Sequence, residues 1–536
     1  MNASEVPATV DAVVIGAGVS GLYMIYSLRE LGLSTLALEA GTDVGGTWFW
    51  NRYPGARCDS ESWCYAYTFD KSLEQEWDWS CRYPEQPEIL AYLNHVADRF
   101  DLRSSIRFQT RVESAVLDEA TGTWTVRTDG GDEVRARYLV TAVGCLSAAQ
   151  VPAVDGLDRF TGDCYHTGSW PHEGVDLTGK RVAVVGTGSS GMQTIPVIAE
   201  QAAQLTVLQR TPNFAIPARN YVLGERRASE IKGSIGQIRD FTRHSFAGFP
   251  FDLREGNLLD IDPDVAREQF EEAWEAGGFE LVFAGYGDVL VDEKANAVVA
   301  DFVREKIAEV VDDPETVARL QPRDYPIGTK RVVLDTNYFE TYNRDNVELV
   351  SLREEPLHEV TATGIRVGAR EIEVDAIVFA TGFDGLTGAL GKIDIKGRGG
   401  ERLKEKWAAG PRTYLGVASA GFPNMFMITG PGSPSVMSNM PVSIEQHVEW
   451  IRDCIGHLEE VGAAGIEATR TAEDGWVEHV NETAAATLFP KANSWYMGAN
   501  VPGKPRVFMP YLGGVGPYRQ HCAEVAERGY EGFSVV

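Results

Sequence analysis

The chain has 536 residues and carries 77 acidic against 49 basic side chains, a formal charge of −28. Such a length exceeds one ordinary domain and predicts two or three lobes with large buried cores, while the acidic balance argues against a nucleic-acid or anionic-membrane surface, because phosphates are repelled at long range. The seven cysteines (Cys58, Cys64, Cys81, Cys145, Cys164, Cys454, Cys522) include no C-x-x-C pair, so neither a metal site nor a redox disulfide is expected, and they read as reduced, mostly buried thiols of a cytoplasmic protein.

Met1–Val10 has no basic segment followed by an apolar core, so no secretory leader is expected. The first recognisable element begins at Asp11-Ala-Val-Val-Ile-Gly16-Ala-Gly18-Val-Ser-Gly21, continues as an apolar helical stretch through Tyr26, and ends in Leu33-Ser-Thr-Leu-Ala-Leu-Glu39. It reads as strand, tight turn, helix and strand, a βαβ unit. A segment rich in Gly and aromatic residues follows, Gly45-Gly46-Thr47-Trp48 through Tyr53-Pro54-Gly55 to Asp59, and a further apolar strand ends at Gly144. Next comes Phe160-Thr-Gly162-Asp-Cys-Tyr-His166-Thr-Gly-Ser-Trp170-Pro171, read as a linker.

The βαβ pattern then recurs: Arg181-Val-Ala-Val-Val-Gly186-Thr-Gly188-Ser189-Ser190-Gly191, a helix from Met192 to Gln201, and Leu205-Thr-Val-Leu-Gln209-Arg210. From Val222 to Arg323 the sequence turns charged and helix-periodic, as in Asp264–Ala276 and Lys294–Val311, which predicts a helical insertion. Gly328-Thr-Lys330-Arg331 precedes another apolar run that stops at glycine, Asp375 to Gly382. The rest, from about Gly385, is rich in Gly, Pro and aromatic residues and is expected to complete the first domain. Two uncharged stretches, Ala12–Leu28 and Thr413–Ile444, are broken by Gly, the second also by Pro, and read as protein interior rather than membrane spans.

In each βαβ unit the first glycine (Gly16, Gly186) makes the turn, the second (Gly18, Gly188) lets backbone approach a pyrophosphate, and the third (Gly21, Gly191) lets the helix pack on its strand. The phosphates sit on the helix N-terminus. One such motif arises easily in a chain with 55 glycines; two, each in full βαβ context, predict two dinucleotide sites. Glu39 stands 23 positions after Gly16, where a carboxylate accepts from an adenosine ribose diol. The matching position after Gly186 is Gln209, followed by Arg210 and Thr211. A neutral amide beside a guanidinium welcomes a 2′-phosphate that a carboxylate would repel, so the first site is assigned to FAD and the second to NADPH. Ser189, Ser190 and Gln193 fall on the NADPH side.

The Phe160–Pro171 segment resembles the F-x-G-x-x-x-H-x-x-x-W-P fingerprint of Baeyer–Villiger monooxygenases, flavoproteins that turn ketones into esters or lactones, and Gly45–Asp59 is similar to their G-G-x-W-x(4)-Y-P-G-x(3)-D segment. The likeness extends through Gly328–Arg331, Ala380–Phe383 and Gly430-Pro-Gly-Ser-Pro to Trp495-Tyr-Met-Gly-Ala-Asn500. It implies an α/β fold of two Rossmann-like domains with a helical insertion in the NADPH domain. The expected division is FAD domain 1–145 and 385–536, NADPH domain 146–221 and 325–384, and insertion 222–324. It also implies that a flavin peroxide anion formed from O₂ attacks the ketone, that Arg331 stabilises this anion, and that Asp59 orients Arg331. Lys330 would join Arg210 and Thr211 on the 2′-phosphate. Gly46, Thr47, Trp48 and Asp59 would line the FAD site, Trp495 the NADPH site, and Ser435, Val436, Met437 and Met440 the substrate pocket. Phe160, Gly162, His166, Trp170 and Pro171 would couple the domains, with His166 in a hydrogen-bonding rather than a basic role. The branch with phenylacetone and steroid monooxygenases is the most similar, pointing to bulky aryl or cyclic ketones, and a monomer or weak oligomer is expected. An N- or S-oxygenating flavin monooxygenase and an FAD-holding redox sensor are the alternative readings.

Overall fold

Two apolar runs that stop at glycine organise the computed structural model, which describes residues 8–535. The expectation of no leader at Met1–Val10, and the outer limits of the domain reading, fall for residues 1–7 and 536 outside the described residues. Strand Thr9–Ile15 has Ala12, Val13 and Val14 fully buried, as a parallel strand covered on both faces requires. It pairs with Thr35–Leu38 on one side and Glu133–Thr141 on the other. The whole sheet runs Asp394–Lys396, Val112–Asp118, Thr123–Thr128, Glu133–Thr141, Thr9–Ile15, Thr35–Leu38, Ile106–Arg107, with Met425–Met427 beside the second half of Glu133–Thr141. A second sheet, parallel throughout, is ordered Val347–Ser351, Gln204–Gln209, Arg181–Val185, Ala376–Phe379, Asp163–His166.

The two βαβ units share their local geometry. Gly16 and Gly186 turn the chain at φ +105° and +108°, a region that glycine alone enters readily. A Cβ on Gly21 would lie 2.0 Å from the Gly16 carbonyl oxygen, and one on Gly191 2.2 Å from that of Gly186, so helices Val19–Glu30 and Ser189–Gln201 reach their strands only because both positions lack a side chain.

The segment 160–171 departs from its reading as a linker. Asp163–His166 is an edge strand of the second sheet, paired in register with Ala376–Phe379, so His166 stands opposite Phe379. Four residues, the first two exposed, are too few and too polar to show strand periodicity, which is usual at a sheet edge.

The insertion contains Glu225–His244, Pro263–Ala276, Glu293–Val310 and shorter helices. Asp262, Asp292 and Asp313 accept backbone N–H groups at three of the helix starts. The insertion has no core of its own: Phe270, Phe302 and Ile307 belong to the same buried cluster as Val184 and Ile195. In the tail, helices Met440–Val461 and Val515–Glu527 bury Val448, Ile451 and Tyr518 against Leu22 and Met24 of the first unit. Thr413–Ile444 is buried almost throughout, and no described helix is long and apolar enough to cross a membrane.

Candidate active site

At the first glycine loop, Glu39 is buried and its two oxygens accept from the N–H groups of Ala17 at 2.8 Å and Gly41 at 2.7 Å. The carboxylate therefore fixes the loop backbone and still has lone pairs with which to accept further hydrogen bonds. Gly45 and Gly46 turn with positive φ and close over the loop, so near that a Cβ on Gly46 would meet Gly18 Cα at 2.8 Å. Bare backbone on both sides makes a cradle that side chains would fill, which fits the pyrophosphate of FAD. Thr47 opens the short helix Thr47–Trp50. Trp48 packs edge-on against Tyr65 and donates from Nε1 to its hydroxyl at 3.1 Å within the first domain's core.

At the second loop, nothing lies within 4 Å of where a Gly188 Cβ would project, leaving the start of the Ser189–Gln201 helix open. Gln209 is buried; its Nε2 donates to the Arg319 carbonyl at 2.8 Å, while Oε1 has no partner. Arg210 is exposed. The Lys330 ammonium lies 4.3 Å from the centre of the Tyr325 ring, and among the described residues it has no carboxylate partner. Burial, then the Arg210 and Arg353 guanidinium groups, push its pKa down to about 8. Converging cations and an orphaned buried amide oxygen fit the phosphorylated ribose of NADPH. Gln193 is turned the other way: Oε1 accepts from Tyr53 Oη at 2.7 Å and Nε2 donates to the Arg57 carbonyl at 3.1 Å, so its side chain is spent joining the two domains.

Asp59 and Arg331, 272 positions apart, meet. Arg331 donates from Nη2 at 2.6 Å and Nε at 3.1 Å to one oxygen of Asp59, and from Nη1 to the Val436 carbonyl at 3.2 Å. Burial opposes its charge, but Asp59 and Tyr496 outweigh that and hold its pKa above the usual value. Its guanidinium lies over the Phe279 ring at 4.9 Å, on the wall of an apolar cavity that Phe246, Phe283, Leu290, Met437 and Tyr496 also line.

The residues expected on the substrate loop divide. Met437 lines this cavity and Val436 contributes its carbonyl to Arg331. Ser435 does not line it: its hydroxyl, fully buried, lies 3.0 Å from Cys145 Sγ. Met440 opens the helix Met440–Val461. Ser435 is held at φ +41°, a turn that aims it away from the cavity and that composition does not reveal. Trp495 covers Gly385, where the chain leaves the second domain, and meets the Tyr496 ring at a tilt of 47°.

His166 accepts from the Gly168 N–H through Nδ1 at 2.9 Å and lies 3.4 Å from Thr381 Oγ1 through Nε2. Burial lowers its pKa, so the ring is neutral at physiological pH. Phe160 packs beside Ile377 and Gly162 against the Asp375 carbonyl, and Trp170 is buried in the second domain's core. Pro171 leads to His172, which meets Phe49 of the first domain edge-on at 4.6 Å.

Sequence reasoning missed Phe246, Phe279, Phe283 and Leu290, which the insertion contributes to the cavity, and Arg353 beside the second loop. Gly277-Gly278 before Phe279, with φ +68° and +73°, was the one local signal for an aromatic displaced from a helix.

A family model described as FMO-like, flavin-binding monooxygenase-like, matches residues 10–221. A Baeyer–Villiger monooxygenase of Pseudooceanicola batsensis is 45% identical over 99% of this chain and 97% of its own length. The phenazine N-monooxygenase PhzNO1 of Lysobacter antibioticus is 45% identical over 98% and 96%. The solved structure of an oxidized steroid monooxygenase bound to NADP is 55% identical, with a TM-score of 0.95, covering 98% of this chain and 99% of that one.

Proposed function

We propose, for a chain that belongs to the Baeyer–Villiger monooxygenases, that the Asp59–Arg331 pair on the apolar cavity is the centre at which its ketone is oxidised. The enzyme is an FAD-dependent, NADPH-consuming monooxygenase that converts ketones to esters or lactones with O₂. FAD, when bound, supplies the oxygen-activating redox chemistry, and NADPH supplies the hydride. The protein's part is to bind, orient, exclude water and stabilise charge.

Arg331 carries the central role because a guanidinium stays charged and still has N–H groups free after three are spent on Asp59 and Val436. Those free donors stabilise negative charge on oxygen at the cavity wall. Asp59 holds the fork in one orientation. Phe246, Phe279, Phe283 and Met437 keep water from that charge and accept an apolar ketone. Gly16, Gly18, Gly21, Glu39, Gly46 and Thr47 hold FAD, with Trp48 as a packing support. Gly186, Gly188, Ser189, Ser190, Gly191, Arg210, Thr211 and Lys330 hold NADPH. Phe160, Gly162, His166, Trp170 and Pro171 join the domains as a hydrogen-bonded and packed edge.

We read the domain division as 1–145 with 385–536, 146–221 with 325–384, and 222–324, on the strength of which strands share a sheet. The preferred substrates are bulky cyclic or aryl ketones, supported by the cavity's aromatic lining and by the 55% identity to a steroid monooxygenase. The enzyme is read as a cytoplasmic monomer or weak oligomer without nucleic-acid partners. A panel of ketones tests the function: ester or lactone formed in step with NADPH consumed is the expected result, and NADPH oxidation without any ester overturns it. The phenazine N-monooxygenase relative favours one second reading, N-oxygenation, which N-oxide as the sole product from a mixed ketone and heteroarene panel would establish.

A further inference from the structure

The cavity that Arg331 borders carries a second polar group for which the sequence motifs do not account. Tyr496 lines it, with a side chain that is 1% exposed. Its ring is set among apolar neighbours, Trp495 at 4.3 Å between centres, Phe489 at 6.0 Å and Phe508 at 6.2 Å. Its backbone is pinned as well. The Tyr496 carbonyl accepts from the Met509 N–H at 3.0 Å, and four residues on Asn500 donates from Nδ2 to the Phe383 carbonyl at 2.7 Å, which ties the segment to the chain's exit from the second domain.

A phenylalanine would suit these neighbours equally well, so the hydroxyl needs its own explanation. Among the described residues it has no hydrogen-bond partner, and taking a hydroxyl out of water without one costs about 1–3 kcal/mol. Nor is it sealed off, as the partnerless Ser494 Oγ two residues earlier is. In a side chain otherwise covered by protein, the tip that stays open is the one that meets the cavity. Burial raises the phenol's pKa to about 12, against the pull of the Arg331 cation and with the push of Asp59. The group therefore stays protonated at physiological pH, a neutral donor on the same wall as a permanent cation.

Ketone oxidation presents two oxygens in turn. Negative charge first sits on the O₂-derived nucleophile, where Arg331 answers it. As that nucleophile bonds to the carbonyl carbon, the C=O π pair moves onto the carbonyl oxygen. It returns as the ester C=O when a carbon substituent migrates to oxygen and the O–O bond breaks. A fixed donor at the carbonyl oxygen grips harder as that charge develops, and so favours the addition over the bound ketone.

We propose that the Tyr496 hydroxyl donates a hydrogen bond to the carbonyl oxygen of the ketone, orienting it beside Arg331 and stabilising the charge that develops there, with no proton transferred. This rests on the reading that the Asp59–Arg331 pair marks the centre of oxidation.

The test is Tyr496→Phe, which deletes one oxygen and keeps the ring. Calorimetric titration of the FAD-loaded enzyme, with NADP⁺ present, compares phenylacetone with methallylbenzene, in which C=CH₂ replaces C=O. The variant is expected to bind phenylacetone about three- to tenfold more weakly, the worth of one neutral hydrogen bond, and methallylbenzene as the parent does. Ester formation should fall about tenfold to a hundredfold, while NADPH-driven bleaching of the flavin stays within a few-fold of the parent. A packing defect would instead weaken both ligands alike. Equal effects on the two ligands, or none on either, overturn the proposal, as does ester formed at the parental rate or flavin reduction lost as severely as product. Arg331→Ala run alongside separates the two levels. If it abolishes ester formation while Tyr496→Phe does not lower it, Tyr496 is excluded and the centre stands. If neither variant lowers ester formation, the centre itself is wrongly placed.

Discussion

Replacing Arg331 by alanine separates the two halves of the catalytic cycle. The guanidinium lies on the wall of an apolar cavity and is held to Asp59 by two hydrogen bonds on one carboxylate oxygen. An oxygen anion about 4 Å from it, at the effective dielectric constant of about 20 suited to such a site, is stabilised by roughly 4 kcal/mol. At about 1.4 kcal/mol per decade, Arg331→Ala should lower the rate of ester formation about a thousandfold. Hydride transfer to the flavin requires no anion at this wall and should keep its rate within a few-fold. Asp59→Asn leaves the cation but loosens its orientation, and should cost about ten- to a hundredfold in product formation. Stopped-flow bleaching of the flavin absorbance measures the first half, and chromatography of ester against NADPH consumed measures the second. An Arg331→Ala enzyme that forms ester at the parental rate, or that loses flavin reduction as severely as product, would refute this assignment.

Arg210→Ala should raise the Michaelis constant for NADPH about tenfold or more while changing that for NADH little, because only the former carries a 2′-phosphate; parallel changes in steady-state assays with both cofactors would undo the assignment. Glu445 is buried with both carboxylate oxygens on Thr68, and burial raises its pKa from 4.5 to about 6. Its contribution is therefore intact below about pH 4.5 and is lost as pH rises through about 6. Glu445→Gln, neutral throughout, should be more stable than the parent by on the order of 2 kcal/mol at pH 8 and indistinguishable near pH 4.5, as chemical denaturation at the two pH values would show. Gly55→Ala would bring a Cβ to 2.2 Å from the Gln193 carbonyl at φ +81°. It should lower stability by about 1–3 kcal/mol, and an unchanged thermal midpoint would mean that the two domains have slack at this contact.

Much of the architecture was readable because it depends on local spacing. Gly16 and Gly186, each with its third glycine five positions on, reveal a turn and a close helix in any context, and the length between Gly16 and Glu39 recurs between Gly186 and Gln209. Asp59 and Arg331 were readable only through their motifs, since nothing local indicates that residues 272 positions apart share a hydrogen bond. What escaped was set by tertiary register. Arg353 reaches Thr211 because Ser351 pairs with Gln209, a pairing invisible without the sheet. Gln193 reads as a nucleotide contact from its place on the helix, yet its amide serves Tyr53 and Arg57 across the domain boundary. Phe279 and Phe283 look like ordinary helix-core aromatics, and only the packing of the insertion against the second domain turns them toward a cavity.

The return of Asp394–Lys396 and Met425–Met427 to the first sheet gives the molecule an order of birth. A chain emerging from the ribosome exposes Val112–Asp118 and the upper half of Glu133–Thr141 as unpaired edges, with the face of Val19–Glu30 uncovered, until some three hundred further residues have followed. The second sheet closes earlier, when Ala376–Phe379 slots between Arg181–Val185 and Asp163–His166. At about 5–20 residues per second of synthesis, the first domain stays half-built for tens of seconds, the last several of them beside a neighbour whose sheet is already closed. Truncation near residue 390 should therefore leave a folded second domain attached to an aggregation-prone first one, and the nascent enzyme should depend on chaperones most during that interval.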